Sequence, residues 1–321
     1  MTDILGFRIV GPCINERRLV DWQAAFVGYA SLDERAEVDN ESYLSAFTFG
    51  DDFRRHHEAT GSTKGFDGVC GAEFIWWDID RVDLEAARRD AARLCSTLTE
   101  RYSLDDSDLL AFFSGSKGFH IGLPTVLWQP AASESFNAVA RRLAEGLADS
   151  AQVVIDAGVF DKVRAFRAPH SRHGKTGLHK RALSLDELMR LSVERIQKLA
   201  REPLAFDLPT SSGVCDQALA DWLEAGQRVT SEAKATWERR TGNGSAKLNR
   251  QTLDFIRNGA GSGERHRLLF SAAANLAEFG CPPELAHELL TETALDSGLP
   301  PRETRRQIEC GLNHTRKGTE S

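Results

Sequence analysis

Two aspartates one residue apart close a short apolar run, Phe74-Ile75-Trp76-Trp77-Asp78-Ile79-Asp80. In an extended strand successive side chains alternate between faces, so Ile75, Trp77 and Ile79 share one face and Phe74, Trp76, Asp78 and Asp80 share the other. Two like charges side by side repel unless something positive lies between them. A hard divalent cation that also holds a phosphate-bearing substrate is the usual solution. Asp78 and Asp80 therefore read as the floor of a metal site. Spacing alone does not establish it, because Asp106-Ser107-Asp108 has the same spacing in a polar turn, where solvated or capping acids are the ordinary case.

Two further stretches carry complementary chemistry. Ser114-Gly115-Ser116-Lys117-Gly118-Phe119-His120 is a glycine turn with hydroxyls, one cation and one imidazole. Small residues let the backbone approach an anion, Lys117 can neutralise it, and His120 shares a strand face with Gly118. A simple hairpin turn has a similar composition, and the G-x-x-x-x-G-K-[ST] order of a P-loop is absent. Ile155-Asp156 then supplies a third carboxylate just ahead of the densest run of cations: between Lys162 and Arg181 there are seven Lys or Arg, three His and no acid. Such a block is either a solvated basic face or a phosphate-binding surface. Acids for metal beside Arg, His and Lys for phosphate oxygens are what nucleotidyl transfer requires.

The elements that would position these groups are mixed strands and helices. Leu84, Ala87, Ala91, Leu94 and Leu98 recur at helical spacing and Asp83 can cap the start, which predicts a helix from about Asp83 to Tyr102. Leu109–Phe113 and Phe119–Leu123 read as buried strands, the second ended by Pro124. Phe136, Val139, Ala140, Leu143 and Leu147 mark another amphipathic helix, and Val153–Ile155 reads as a short strand ending at Asp156. Ser184 and Glu187 have capping-box spacing. This is the pattern of an α/β or α+β catalytic domain over 1–205. Residues 206–246, with Pro203 just before them and Pro209, Gly213, Gly242 and Gly244 within, read as a linker holding one short helical piece around Trp222. Residues 247–321 read as a small all-helical domain. The first 65 residues are the least legible; Leu44–Phe49 suggests strand and Gly61-Ser62-Thr63-Lys64-Gly65 a turn.

These stretches, in this order, resemble the catalytic core of archaeo-eukaryotic-type primases and primase-polymerases. Trp77-Asp78-Ile79-Asp80 is similar to the family's hydrophobic-D-x-D/E motif, Ser114 to His120 to its S-G-x-x-G-x-H form, also found in the polymerase domain of bacterial ligase D, and Asp156 to its third motif. Arg164-x-x-Arg167-x-Pro169-x-Ser171-x-His173-x-x-Thr176-Gly177 resembles a long stretch of archaeal small primase subunits. The resemblance covers roughly 70–205 and, more loosely, the helical end, which is similar to primase C-terminal domains of plasmid and phage replication proteins. Three departures stand out: Gly118 replaces a frequent serine, the zinc-binding module of many relatives has no counterpart, so no structural zinc is expected, and residues 1–65 match no part of the family pattern.

The resemblance implies a primase-polymerase core with an RRM-like sheet and a template-directed DNA primase/polymerase that makes primers on single-stranded DNA in replication of a plasmid, phage or other mobile element. Asp78, Asp80 and Asp156 would be catalytic and hold two Mg²⁺ or Mn²⁺ ions about 3.5 to 4 Å apart. Ser114, Ser116, Lys117, His120, Arg164, Arg167, Ser171, His173 and Lys175 would bind the nucleoside triphosphate; Arg164 is also suited to pairing with a carboxylate. Arg172 and Lys180 lie in the basic run but outside the matched positions and would line a nucleic-acid track, while His170 and His179 read as structural. A replicative helicase is an expected partner. A gap-filling repair polymerase like that of ligase D, or a non-catalytic replication-initiation DNA-binding protein, would share the same pattern.

Composition sets outer bounds. The chain has 321 residues, 41% hydrophobic and 27% charged, with net charge -7, which is ordinary for a globular protein and excludes one coated in positive charge. No apolar stretch approaches the roughly 18 residues that span a bilayer, so no membrane partner is expected. The first residues lack a secretion-signal layout, which predicts a cytoplasmic protein. The six cysteines (Cys13, Cys70, Cys95, Cys215, Cys281, Cys310) form no C-x-x-C pair and read as buried, reduced thiols.

Overall fold

Strands of six residues or fewer build a first sheet from the part of the chain least legible in sequence. In the computed structural model, which describes residues 4–210, 213–241, 248–261 and 263–316, these are β1 (Leu5–Val10), β2 (Arg18–Asp21), β3 (Ser42–Ser45), β4 (Thr48–Phe49) and β5 (Cys70–Gly71). Helix α1 (Trp22–Ala30) follows β2, and α2 (Asp51–Thr60) follows β4. The strands pair antiparallel in the order β5-β4-β1-β3, with β2 also on β1.

The second sheet carries the acids. Its elements are β6 (Phe74–Asp80), α3 (Leu84–Tyr102), β7 (Leu110–Phe113), β8 (Gly118–Pro124) and α4 (Phe136–Ser150). Next, β9 (Ala165–Arg167) crosses to the first sheet beside β3, and β10 (Arg181–Leu183) joins β7. The order β10-β7-β8-β6 places β8 between β6 and β7, the split β-α-β arrangement of an RRM-like sheet. Where that arrangement has a fourth strand beside β6, the expected strand at Val153–Ile155 does not form. The chain there keeps one backbone bond to β6, Asp156 N to Asp78 O at 2.9 Å, and Arg81 Nη2 donates to Val154 O at 2.9 Å.

Alternation along β6 sorts its faces as the sequence predicts. Trp77 is buried and its Nε1 donates to Ala144 O of α4. Trp76, on the other face, packs on Phe26, Phe112 and Phe166. Asp83 caps α3 by accepting from Glu85 N, and both halves of the Ser184/Glu187 capping box are made at the start of α5 (Leu185–Arg190), which α6 (Val193–Leu199) follows. Asp105 and Asp108 form a capping box around a 3₁₀ turn that includes Asp106, so that second D-x-D is structural.

The expected linker is largely absent. Phe206 N donates to Ala30 O, and its ring packs on Phe112 and His170. From Asp216 the chain forms α7 (Asp216–Thr241), a helix of 26 residues. Ala218 and Ala225 of α7 are buried, Trp222 packs on Trp128 and Phe136, and Asp221 accepts from Arg101 through both oxygens at 2.6 Å and from Tyr102 Oη at 2.8 Å. An apolar stripe at helical spacing thus overrides the nearby turn residues. The chain divides into units 1–233 and 234–321. Parts of the expected turns, Ser211, Ser212 and Gly242–Ser245, lie outside the described residues.

In the second unit, α8 (Arg250–Asn258), α9 (Arg265–Glu278), α10 (Pro283–Asp296) and α11 (Pro301–Arg316) enclose a separate core that includes Phe255, Leu269, Leu276, Leu290 and Ile308. Among the described residues no helix is long and apolar enough to cross a membrane. The cysteines are unpaired; Cys70 and Cys95 are buried, but Cys13 and Cys310 are exposed, which corrects the expectation of burial for all six.

Candidate active site

The register of β6 on β8 sets Asp78 opposite His120 and Asp80 opposite Gly118, and β7 sets Phe112 on the far side of His120. A Cβ at Gly118 would collide with Asp80 Oδ1 and the Ile79 carbonyl. The serine frequent in the resembled pattern has no room here. The backbone bond from Asp156 N to Asp78 O brings the third acid to the same strand.

Each carboxylate faces a cation or an imidazole. Lys117 Nζ lies 2.8 Å from Asp80 Oδ2, Arg164 Nη2 lies 3.9 Å from Asp156 Oδ2, and His120 Nε2 lies 3.4 Å from Asp78 Oδ1. The His120 contact is not aligned as a hydrogen bond, so Asp78 Oδ1 is buried without a partner among the described residues, and so, on the other side of the ring, is His120 Nδ1. Burial pushes the Asp78 carboxyl up, but His120, Lys180 and Arg164 outweigh it and hold it below the usual carboxylate range. Burial, aided by Lys180, pushes His120 down and favours the neutral imidazole. The hydrogen bond to Asp80 raises Lys117.

Among the described residues no three His, Cys, Asp or Glu side chains are gathered into a ready-made metal cluster. Asp156 Oδ1 is engaged by Gly158 N at 2.8 Å, capping its own turn. The donor chemistry nonetheless fits a hard divalent ion: a buried carboxylate oxygen lacks a donor, and a second carboxylate shares its strand face.

The glycine turn and the basic run are packed together. Thr176 Oγ1 donates to Gly115 O at 2.6 Å, and Gly115 (φ +86°) sits against Leu178 O and His173 Cβ. Ser114 is buried and its Oγ accepts from Ser116 N and Gly118 N (3.4 and 3.2 Å), so it holds the turn. Ser116 is half-buried and Lys117 exposed. His173 Nδ1 accepts from Lys175 N and Thr176 N at 3.2 and 3.3 Å, and burial pushes its imidazole down. Lys175 is exposed.

Much of the basic block is internal, which corrects three expectations. Ser171 is fully buried and donates to Ala168 O at 2.9 Å, out of reach of a nucleotide. Lys180 is buried under the sheet: its Nζ donates to Arg167 O at 2.8 Å and lies 5.1, 4.7 and 4.5 Å from the Trp76, Phe112 and Phe166 rings. It cannot line a nucleic-acid track. Arg167 is held by Glu41 at 2.9 Å and lies over the Tyr43 ring, so it faces a carboxylate of the chain itself. Lys162 is bound to the carbonyls of Asp67, Gly68 and Glu134, and the buried Arg181 donates to Glu202 O. Arg172 is exposed and donates through Nε to Gly177 O. His179 Nδ1 pairs with His170 O at 2.6 Å, and His170 is fully buried, which gives both a structural setting.

Sequence reasoning missed Glu41 and Tyr43. They join the site because β3 pairs Tyr43 with Arg167, a partnership no local pattern announces. Tyr43 Oη donates to Glu41 at 2.6 Å, and burial followed by that bond pushes Tyr43 up to about 12.

No protein-family model matches the chain, and no curated protein does. The chain is similar to a solved structure, the crystal structure of primase RepB', at 12% sequence identity and a TM-score of 0.39, over 98% of this chain and 89% of that one.

Proposed function

We propose that the chain is a template-directed nucleotidyltransferase, a DNA primase-polymerase that builds primers on single-stranded DNA from nucleoside triphosphates. The observation that carries this is the strand register that places Asp78 and Asp80 on one face opposite His120 and Gly118, with Asp156 bonded to the backbone of Asp78. Mg²⁺ or Mn²⁺ held by Asp78, Asp80 and Asp156 would supply activation of the primer 3′-hydroxyl and charge neutralisation at the triphosphate.

The chain's own residues have separate tasks. His120, Lys180 and Arg164 hold the Asp78 carboxyl below its usual range despite its burial. Lys117 and Arg164, 69% and 42% exposed, put positive charge at the rim where triphosphate oxygens would lie. His173 Nε2, Lys175 and the half-buried Ser116 extend that rim, with Ser114 fixing the turn behind it. Arg167, committed to Glu41, orients this wall.

The test is incorporation on unprimed single-stranded DNA with nucleotides and Mn²⁺, compared with a primed template. Products on both are expected. Products on the primed strand alone would make the chain a gap-filling polymerase, and none on either would refute nucleotidyl transfer.

A further inference from the structure

A cleft of about 610 Å³ opens between the loop joining β1 to β2 and the loop that follows α2. Ile14, Arg17, His57, Ser62, Lys64 and Val163 line it. Arg17 is fixed in place: its guanidinium lies 4.8 Å from the Phe7 ring, and Nη1 donates to Thr63 Oγ1 and to Val163 O. Its Nε and Nη2 have no partner among the described residues. A guanidinium with a fixed plane and free donors is pre-set for phosphate oxygens. Lys64, exposed and in no ion pair among the described residues, stands on the same wall. The acid in the wall, Glu16, lies 3.1 Å from Arg18, so it does not cancel Arg17 or Lys64.

Two features distinguish this cleft from a general anion site. Ile14 is 93% exposed beside the cations and offers an apolar surface on which a base or sugar can lie. Cations for phosphate together with an apolar surface for bases suit a nucleic-acid strand better than a free inorganic anion. Val163, whose carbonyl holds Arg17, also directly precedes Arg164, the partner of Asp156. One peptide step thus joins the lining of the cleft to a residue of the candidate active site.

We propose that this cleft takes the phosphodiester backbone of single-stranded nucleic acid and holds a strand that runs to the acidic site. The inference rests on the polymerase function proposed above and adds where the strand lies. It is tested by binding of the full chain to a fluorescent single-stranded oligonucleotide, without nucleotide or divalent metal, over a series of salt concentrations. Lys64→Glu is expected to weaken binding about ten-fold and to lower the slope of log K against log salt by about 0.7, the loss of one single-strand phosphate contact. Ile14→Ser is expected to weaken binding with the slope unchanged. Lys198→Glu, the same charge reversal on an exposed residue of α6 outside the cleft, is expected to leave both near wild type. Equal effects of Lys64→Glu and Lys198→Glu, or no effect of Lys64→Glu, would overturn the assignment of the cleft while leaving the polymerase proposal standing. Absence of binding by the wild-type chain would also overturn the cleft, whereas the polymerase proposal falls only with absence of incorporation.

Discussion

Replacing Lys180 by methionine is expected to leave the fold standing while shifting the pH dependence of the site. Burying an ammonium costs several kcal/mol. Here that is offset by a charge-assisted hydrogen bond to Arg167 O, worth about 1.5 to 3 kcal/mol, and by three aromatic rings within 5.1 Å, worth about 2 kcal/mol for a desolvated cation. Burial still outweighs these contacts and the nearby Asp78 and pushes the Lys180 ammonium well below its usual range; methionine fills the same channel without the charge, so the change in stability is expected to stay within about 2 kcal/mol, a Tm shift under about 8 °C. Lys180→Ala, which empties the space under the rings, is expected to lose about 2 to 5 kcal/mol. Function separates differently. Lys180 is one of the groups that hold the Asp78 carboxyl low against burial, so both variants let that carboxyl rise. A carboxylate needed in its ionised form then loses activity at a higher pH, and the acid limb of the incorporation profile moves up. Thermal unfolding and a pH series of primer extension check this. Loss of about 4 kcal/mol or more in Lys180→Met would show that the ammonium is needed for folding. An unmoved acid limb would show that its charge does not act on Asp78.

Asp78→Ala and Asp80→Ala are each expected to abolish incorporation with the circular dichroism spectrum unchanged; a wild-type rate in either would remove the acidic floor of the site. His170 is pushed down to about 3 by burial and by Arg181, so below its unfolded pKa near 6.5 the unfolded chain binds the extra proton and stability falls by about 1.4 kcal/mol per pH unit toward pH 3. His170→Asn, which tolerates the positive φ of 59°, is expected to flatten that slope in denaturant melts between pH 4 and 7, and an unchanged slope would contradict it. Asp221→Asn is expected to cost about 1 to 2 kcal/mol by leaving the partly exposed Arg101, and Tyr102, without their shared carboxylate; a wild-type Tm would mean that α7 is not anchored there.

What the sequence made legible was local. β6 could be read because Trp77 and the two isoleucines alternate strictly with Asp78 and Asp80, and α3 because its leucines and its Asp83 cap follow one period. Asp156 was found by its place after an apolar triplet, although that triplet forms no strand and meets β6 through one hydrogen bond. Lys180 was misread because a lysine in a basic run signals surface, and nothing nearby in sequence reveals that Trp76, Phe112 and Phe166 converge on it. The same applies to Glu41, whose partner Arg167 is 126 residues away. In 206–246 the prolines and glycines masked an apolar stripe whose partners, Trp128 and Phe136, come from elsewhere in the chain.

The pairing of β3 with β9 has a consequence for how the protein is made. While the chain is being synthesised, the first 71 residues can form β1 to β5, but β3 lacks its outer neighbour until residue 167 emerges. An open strand edge of this kind invites pairing with other chains, and closing so long a loop is slow. The N-terminal stretch is thus an unfinished sheet during translation, most prone to aggregation just before β9 arrives. Refolding from denaturant is then expected to restore helical signal before Phe166 packs on the His120 ring and Arg167 meets Glu41, so incorporation would be the last property to return.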